Sequence, residues 1–119
     1  MPATFQHEGG SLFRVTASGI LRKSELEKVQ AAAAPEIART GKIRLLFVLD
    51  GFQGWERGTD WGDMGFYEKH GHNIERIAVV GEEKWREDAL MFSLADLRKE
   101  PVRYFLPAEG EQARAWLSL

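Results

Sequence analysis

The side chains best suited to acid–base or metal chemistry cluster between Asp50 and His72. His70 and His72 flank Gly71. Residues two apart share a face in an extended chain, so the pair resembles half of a metal site. Zinc needs three or four ordered ligands, and no third stands at an evident spacing; His7 falls on a predicted hairpin. We expect a solvated turn and no metal. Asp50, Glu56, Asp60 and Asp63 crowd the same region. Paired carboxylates do acid–base work when one is buried. Loop solvation and charge at a helix start explain these four more simply. With His70 they leave a minor enzymatic reading, which needs a strongly raised carboxylate pKa in a cleft.

Other chemistries lack their parts. The chain has no cysteine, which removes disulfides, thiolate metal sites and cysteine nucleophiles and fits a cytoplasmic protein. No Gly-x-Ser-x-Gly elbow is present, and Ser24 reads as a helix cap. Gly51, Gly54 and Gly58 follow a predicted strand, but neither a P-loop nor a dinucleotide fingerprint is met. We therefore expect no cofactor and no catalytic residue.

The strongest signal is aromatic. Phe52, Trp55, Trp61, Phe66 and Tyr67 lie close together, joined by Met64. The segment from Thr59 to His70 reads as a weak helix, capped by Thr59, with Asp60 and Asp63 at its positive end. Gly62 and Gly65 cost it roughly 1 kcal/mol each relative to alanine. Large apolar side chains on a weakened helix suit a mobile cover over a pocket, or a membrane-seeking surface. Plain core packing is the competing explanation.

The remaining elements must position that segment. Ala3–His7 and Leu12–Ser18 flank Glu8-Gly9-Gly10 and read as a hairpin. Phe13, Val15 and Ala17 alternate with polar residues, so one face is buried. Ser24–Thr40 reads as a helix with a capping box at Ser24 and Glu27 and an apolar stripe of Leu26, Val29, Ala33 and Ile37. Pro35 predicts a kink or break, and Gly41 the stop. Ile43–Leu49 reads as a central strand and 50–58 as a loop. Arg76–Val80 and Val102–Leu106 are further strands; Lys84–Leu94 and Glu109–Ser118 are helices. Strands alternating with helices imply an α/β fold with a largely parallel sheet.

The whole has 119 residues, enough for one domain over residues 1–119. Sixteen Lys+Arg against 18 Asp+Glu give a net charge of −2, which argues against a general nucleic-acid binder. The longest apolar run, Leu45–Leu49, is far below the ~20 residues that span a bilayer. The first ten residues lack the pattern of a secretory signal.

Several stretches together resemble the SpoIIAA-like proteins, a bacterial group of STAS-type fold. They are Gly41–Leu46, Phe52-Gln53-Gly54-Trp55, Ile74–Gly81 with Lys84-Trp85, Val102–Phe105 and Ala115-Trp116-Leu117. The resemblance implies a single mixed, largely parallel sheet of four or five strands with an N-terminal hairpin and four helices. It further implies kinship to anti-sigma-factor antagonists, likeness to CRAL-TRIO lipid-binding domains, a nonpolar ligand and membrane association, without an enzymatic reaction. Those antagonists carry a phosphorylatable serine after the central strand. Here Gly51 follows Asp50, and Thr59 is the nearest hydroxyl; as a phosphorylation candidate it would gain from a helix start.

The leading expectation is a non-catalytic module for a small nonpolar or lipid-like ligand, with reversible association to a membrane surface. Phe52, Trp55, Trp61, Met64 and Phe66 are the candidate walls, completed by Met91 and Phe92 from a neighbouring helix. The alternative is a STAS-type switch that docks a regulatory protein through the same aromatics and Arg57. A homodimer is compatible with either.

Overall fold

A computed structural model describes residues 3–59, 61 and 65–119. The expectations placed on Asp60, Gly62, Asp63 and Met64 lie outside the described residues. The strands are β1 (Ala3–Gly9), β2 (Leu12–Leu21), β3 (Ile43–Trp55), β4 (Ile74–Val80) and β5 (Val102–Phe105). The helices are α1 (Lys23–Thr40), α2 (Gly65–His70), α3 (Arg86–Phe92) and α4 (Gly110–Leu117). The sheet runs β1-β2-β3-β4-β5, antiparallel between β1 and β2 and parallel elsewhere. The α/β fold class is as expected, hairpin edge included.

Strands laid down in chain order, joined by right-handed crossovers, put every crossover helix on the same face. The packing agrees. Val29 and Ile37 of α1, Phe66 of α2, and Ala89 and Phe92 of α3 share one core with Phe13, Val15, Ile43, Phe47 and Ile77. The opposite face is covered by α4, whose Ala113 and Leu117 seat on Leu46, Ala78, Val80 and Phe105. Two strand arginines hold α4 by its last carbonyls: Arg76 Nη1 donates to the Trp116 carbonyl at 2.6 Å, and Arg44 Nη1 to those of Leu117 and Leu119. Cations suit a helix C-terminus, where the dipole is negative.

Four local expectations are corrected. Residues 50–55 are not a loop; they extend β3, pairing Gly19 with Phe52, Ile20 with Gly54 and Leu21 with Trp55. The register shifts between Ala17 and Ile20, and Gly51 and Gly54 have φ of 62° and 114°. Glycine adopts such values without a Cβ penalty, so the strand bends through an irregularity instead of ending. Ser24 does not cap α1. The helix starts at Lys23, whose N–H donates to Glu56 Oε1 at 3.1 Å. A carboxylate from the far end of β3 does what the local hydroxyl was expected to do. Pro35 does not break α1, which runs unbroken from Lys23 to Thr40; Pro35 and Ala31 are exposed, so water can satisfy the carbonyl that a proline leaves unbonded. The helix expected from Lys84 is a 3-10 turn over Glu83–Trp85 followed by α3.

Tyr104 on β5 ties the sheet to the loop after β4. It is 9% exposed, and its hydroxyl donates to the Glu82 carbonyl at 2.6 Å. Burial pushes its pKa up to about 12, above the roughly 10 of a free tyrosine. The stability tied to the protonated phenol is complete below pH ~10 and lost as pH rises through the folded value. Urea unfolding between pH 9 and 12 should show a decline of wild type steeper than that of Tyr104→Phe, by on the order of 1–2 kcal/mol. Parallel curves would contradict this.

Candidate ligand-binding cavity

Between the sheet and its crossover helices lies a cavity of about 520 Å³. Small-molecule sites span roughly 300–1,000 Å³. The floor is the sheet: Phe5, Val15, Ile43, Leu45, Phe47, Ile74 and Ile77. One wall is the stripe of α1, in which Leu26, Val29 and Ala33 recur at helical spacing. The opposite wall comes from α3 and the turn after it, through Met91, Phe92, Ser93 and Leu94. Trp55, Trp61, Phe66 and Tyr67 close it over the carboxyl end of β3 and along α2. The chain therefore uses one stripe per element, all converging on a single hollow.

Five of the seven residues proposed from sequence line this cavity: Trp55, Trp61, Phe66, Met91 and Phe92. Met64 lies outside the described residues. Phe52 is not a wall. It is 4% exposed and sits behind Trp55, ring centroids 4.8 Å apart, and against Trp85 at 5.1 Å, both edge-on. Such edge-to-face pairs add to the stabilisation from burial. The aromatics continue through Phe92, 5.6 Å from both Trp55 and Trp61. Trp61 Nε1 donates to the Glu56 carbonyl at 2.9 Å. Glu56 thus joins three parts: its carbonyl holds Trp61, its carboxylate starts α1, and its N–H bonds the Leu21 carbonyl.

The expected helix from Thr59 to His70 includes neither Thr59 nor Trp61; α2, Gly65–His70, buries none of its six residues. Thr59 is half-buried in a bend, and no described helix starts at it, so the anticipated gain from a helix N-terminus has no basis there. The glycine between the histidines proves structural. A Cβ on Gly71 would stand 2.6 Å from the Tyr67 ring, and the Gly71 carbonyl accepts from Arg98.

Acid–base chemistry finds no centre among the described residues. Asp50 is exposed, Glu56 is engaged at α1, His70 lies against Phe66 and His72 pairs with Glu100 at 3.3 Å. The two described carboxylates with displaced titration are held low. A hydrogen bond from Arg86 lowers Glu83, and a backbone amide followed by His72 lowers Glu100. A poised general acid needs the opposite direction. No group of three or more potential metal ligands forms among the described residues.

Two features of the α3–β5 connection were not legible in sequence. Leu94 has φ 60°. Its N–H bonds the Met91 carbonyl and that of Ala95 the Leu90 carbonyl, each at 3.0 Å. This closure of α3 normally uses glycine; a leucine there carries roughly 1–2 kcal/mol of strain and places a side chain on the cavity rim. The second feature is Arg98. Nothing in the local pattern Arg98-Lys99-Glu100 sets it apart, yet it is 9% exposed and lines the cavity. Its Nη2 donates to the carbonyls of Gly71 at 2.9 Å and Ile74 at 2.6 Å, while its buried Nε has no partner. Burial depresses its pKa.

Fold and cavity define the class: an α/β domain whose sequentially ordered sheet and three crossover helices surround an apolar hollow. The chain belongs to the SpoIIAA-like family, whose model matches residues 12–118. A crystal structure of an uncharacterized protein with a SpoIIAA-like fold from Shewanella loihica superposes with a TM-score of 0.73 at 19% identity, covering 97% of this chain and 91% of that one. That likeness concerns the fold alone. No curated protein matches the chain.

Proposed function

We propose that this domain is a non-catalytic binder of a single-chain nonpolar or lipid-like molecule, held between the sheet and helices α1 and α3. The observation that carries this reading is the cavity of about 520 Å³, walled by Trp55, Trp61, Phe66 and Phe92. Hydrocarbon moved from water into such a space contributes about 0.8 kcal/mol per CH₂, so a short chain suffices for useful affinity. Met91 on the wall is 74% exposed and Leu97 in the following turn 64%. Exposed apolar side chains on and just after the α3 wall favour transient contact with a membrane surface, from which a lipid could enter. No described helix is long and apolar enough to cross a membrane.

The test is native mass spectrometry with solvent extraction of the purified protein, followed by titration of the emptied protein with dodecanol, read by tryptophan fluorescence. We expect a co-purifying lipid and saturable dodecanol binding. Absence of both would overturn the reading. A STAS-type regulatory role draws on the family match; capture of a sigma-factor-related partner that changes on phosphorylation of Thr59 would favour it instead.

A further inference from the structure

We infer that the cavity's ligand carries an anionic head, a carboxylate on a single hydrocarbon chain, and that Arg98 receives it. This deepens the reading above and rests on it. Arg98 is a buried guanidinium on the wall of an apolar hollow. One of its nitrogens is engaged by two backbone carbonyls, its Nε is unpartnered, and none of the ion pairs among the described residues includes it. A buried cation that makes no ion pair is costly, and removing water from around it strengthens its pull on an incoming anion. The planar guanidinium matches a carboxylate better than it matches a hydroxyl.

The surroundings fit this polarity. Tyr67 and Ser93 add neutral polar groups to the wall. Asp88, the one carboxylate among the described residues lining the cavity, is exposed and so screened by solvent. Glu100 acts on Arg98 through space without an ion pair: its Oε2 faces His72, and its buried Oε1 has no hydrogen-bond partner. A ligand with a charged end and an apolar body would lie with its head beside Gly71 and Ile74 and its tail among the aromatics.

The experiment compares dodecanoate with dodecanol and methyl dodecanoate at pH 8, using the tryptophan fluorescence of the emptied protein. We expect dodecanoate to bind about tenfold or more tightly than either neutral analogue, as hydrogen bonds to a charged group allow. In Arg98→Gln that preference should vanish, the affinities for dodecanoate and dodecanol measured on the variant becoming equal. Equal affinities for acid and alcohol in wild type would overturn the inference while leaving the nonpolar-ligand reading standing. Binding of none of the three would overturn both. Should Arg98→Gln not fold, for want of its bonds to Gly71 and Ile74, the wild-type comparison decides alone.

Discussion

Replacing Ala33 with phenylalanine is expected to abolish dodecanol binding while leaving the melting temperature unchanged or higher. Ala33 is 5% exposed on the inward stripe of α1 and lines the cavity. A phenyl ring there would occupy the space a ligand needs. In a filled core an added ring forces strain, costing about 1–3 kcal/mol. In a real hollow it gains contacts and buries surface, up to about 1.5–3 kcal/mol. The sign of the stability change therefore reports whether the space is empty, independently of any ligand. Thermal melting and the fluorescence titration, run on the same preparation, give both answers. Destabilisation with binding retained would place the ligand elsewhere.

Phe52→Ala should act on stability instead. Phe52 is 4% exposed, wedged edge-on between Trp55 and Trp85. Truncating a buried phenylalanine costs about 3–5 kcal/mol, a large share of the 5–15 kcal/mol typical of a domain. Urea unfolding should show a midpoint far below that of wild type. A loss under about 1 kcal/mol would mean that neighbouring rings collapse into the gap. Phe52 and Trp55, three apart in one glycine-rich segment, thus do different jobs: one supports from behind, the other faces the cavity.

What could be read from sequence followed from periodicity. Phe13, Val15 and Ala17 alternate and are buried as expected. The stripe on α1 and the apolar runs of β3 and β4 placed the core, and the alternation of strands and helices the largely parallel sheet. Misreadings arose where a distant residue decides a local outcome. Ser24 had the spacing of a cap, yet Glu56, remote in sequence, takes the Lys23 amide. The glycines after Leu49 look like a loop because the neighbouring strand that keeps them in the sheet is invisible to a local pattern. Arg98 hides for the same reason: its partners are the carbonyls of Gly71 and Ile74, and carbonyls leave no mark in a sequence.

Every strand of this sheet neighbours only those before and after it in the chain. No gap in the ladder waits for a strand made later, so the sheet can grow in the order of synthesis. The exception is the face under α4, where Leu46, Ala78, Val80 and Phe105 have no crossover helix to cover them. During translation that greasy face stays bare until the segment from Gly110 emerges. Arg44 and Arg76 then fasten it by its final carbonyls. Helix α4 is thus the latch for the face of the sheet that the crossovers leave open.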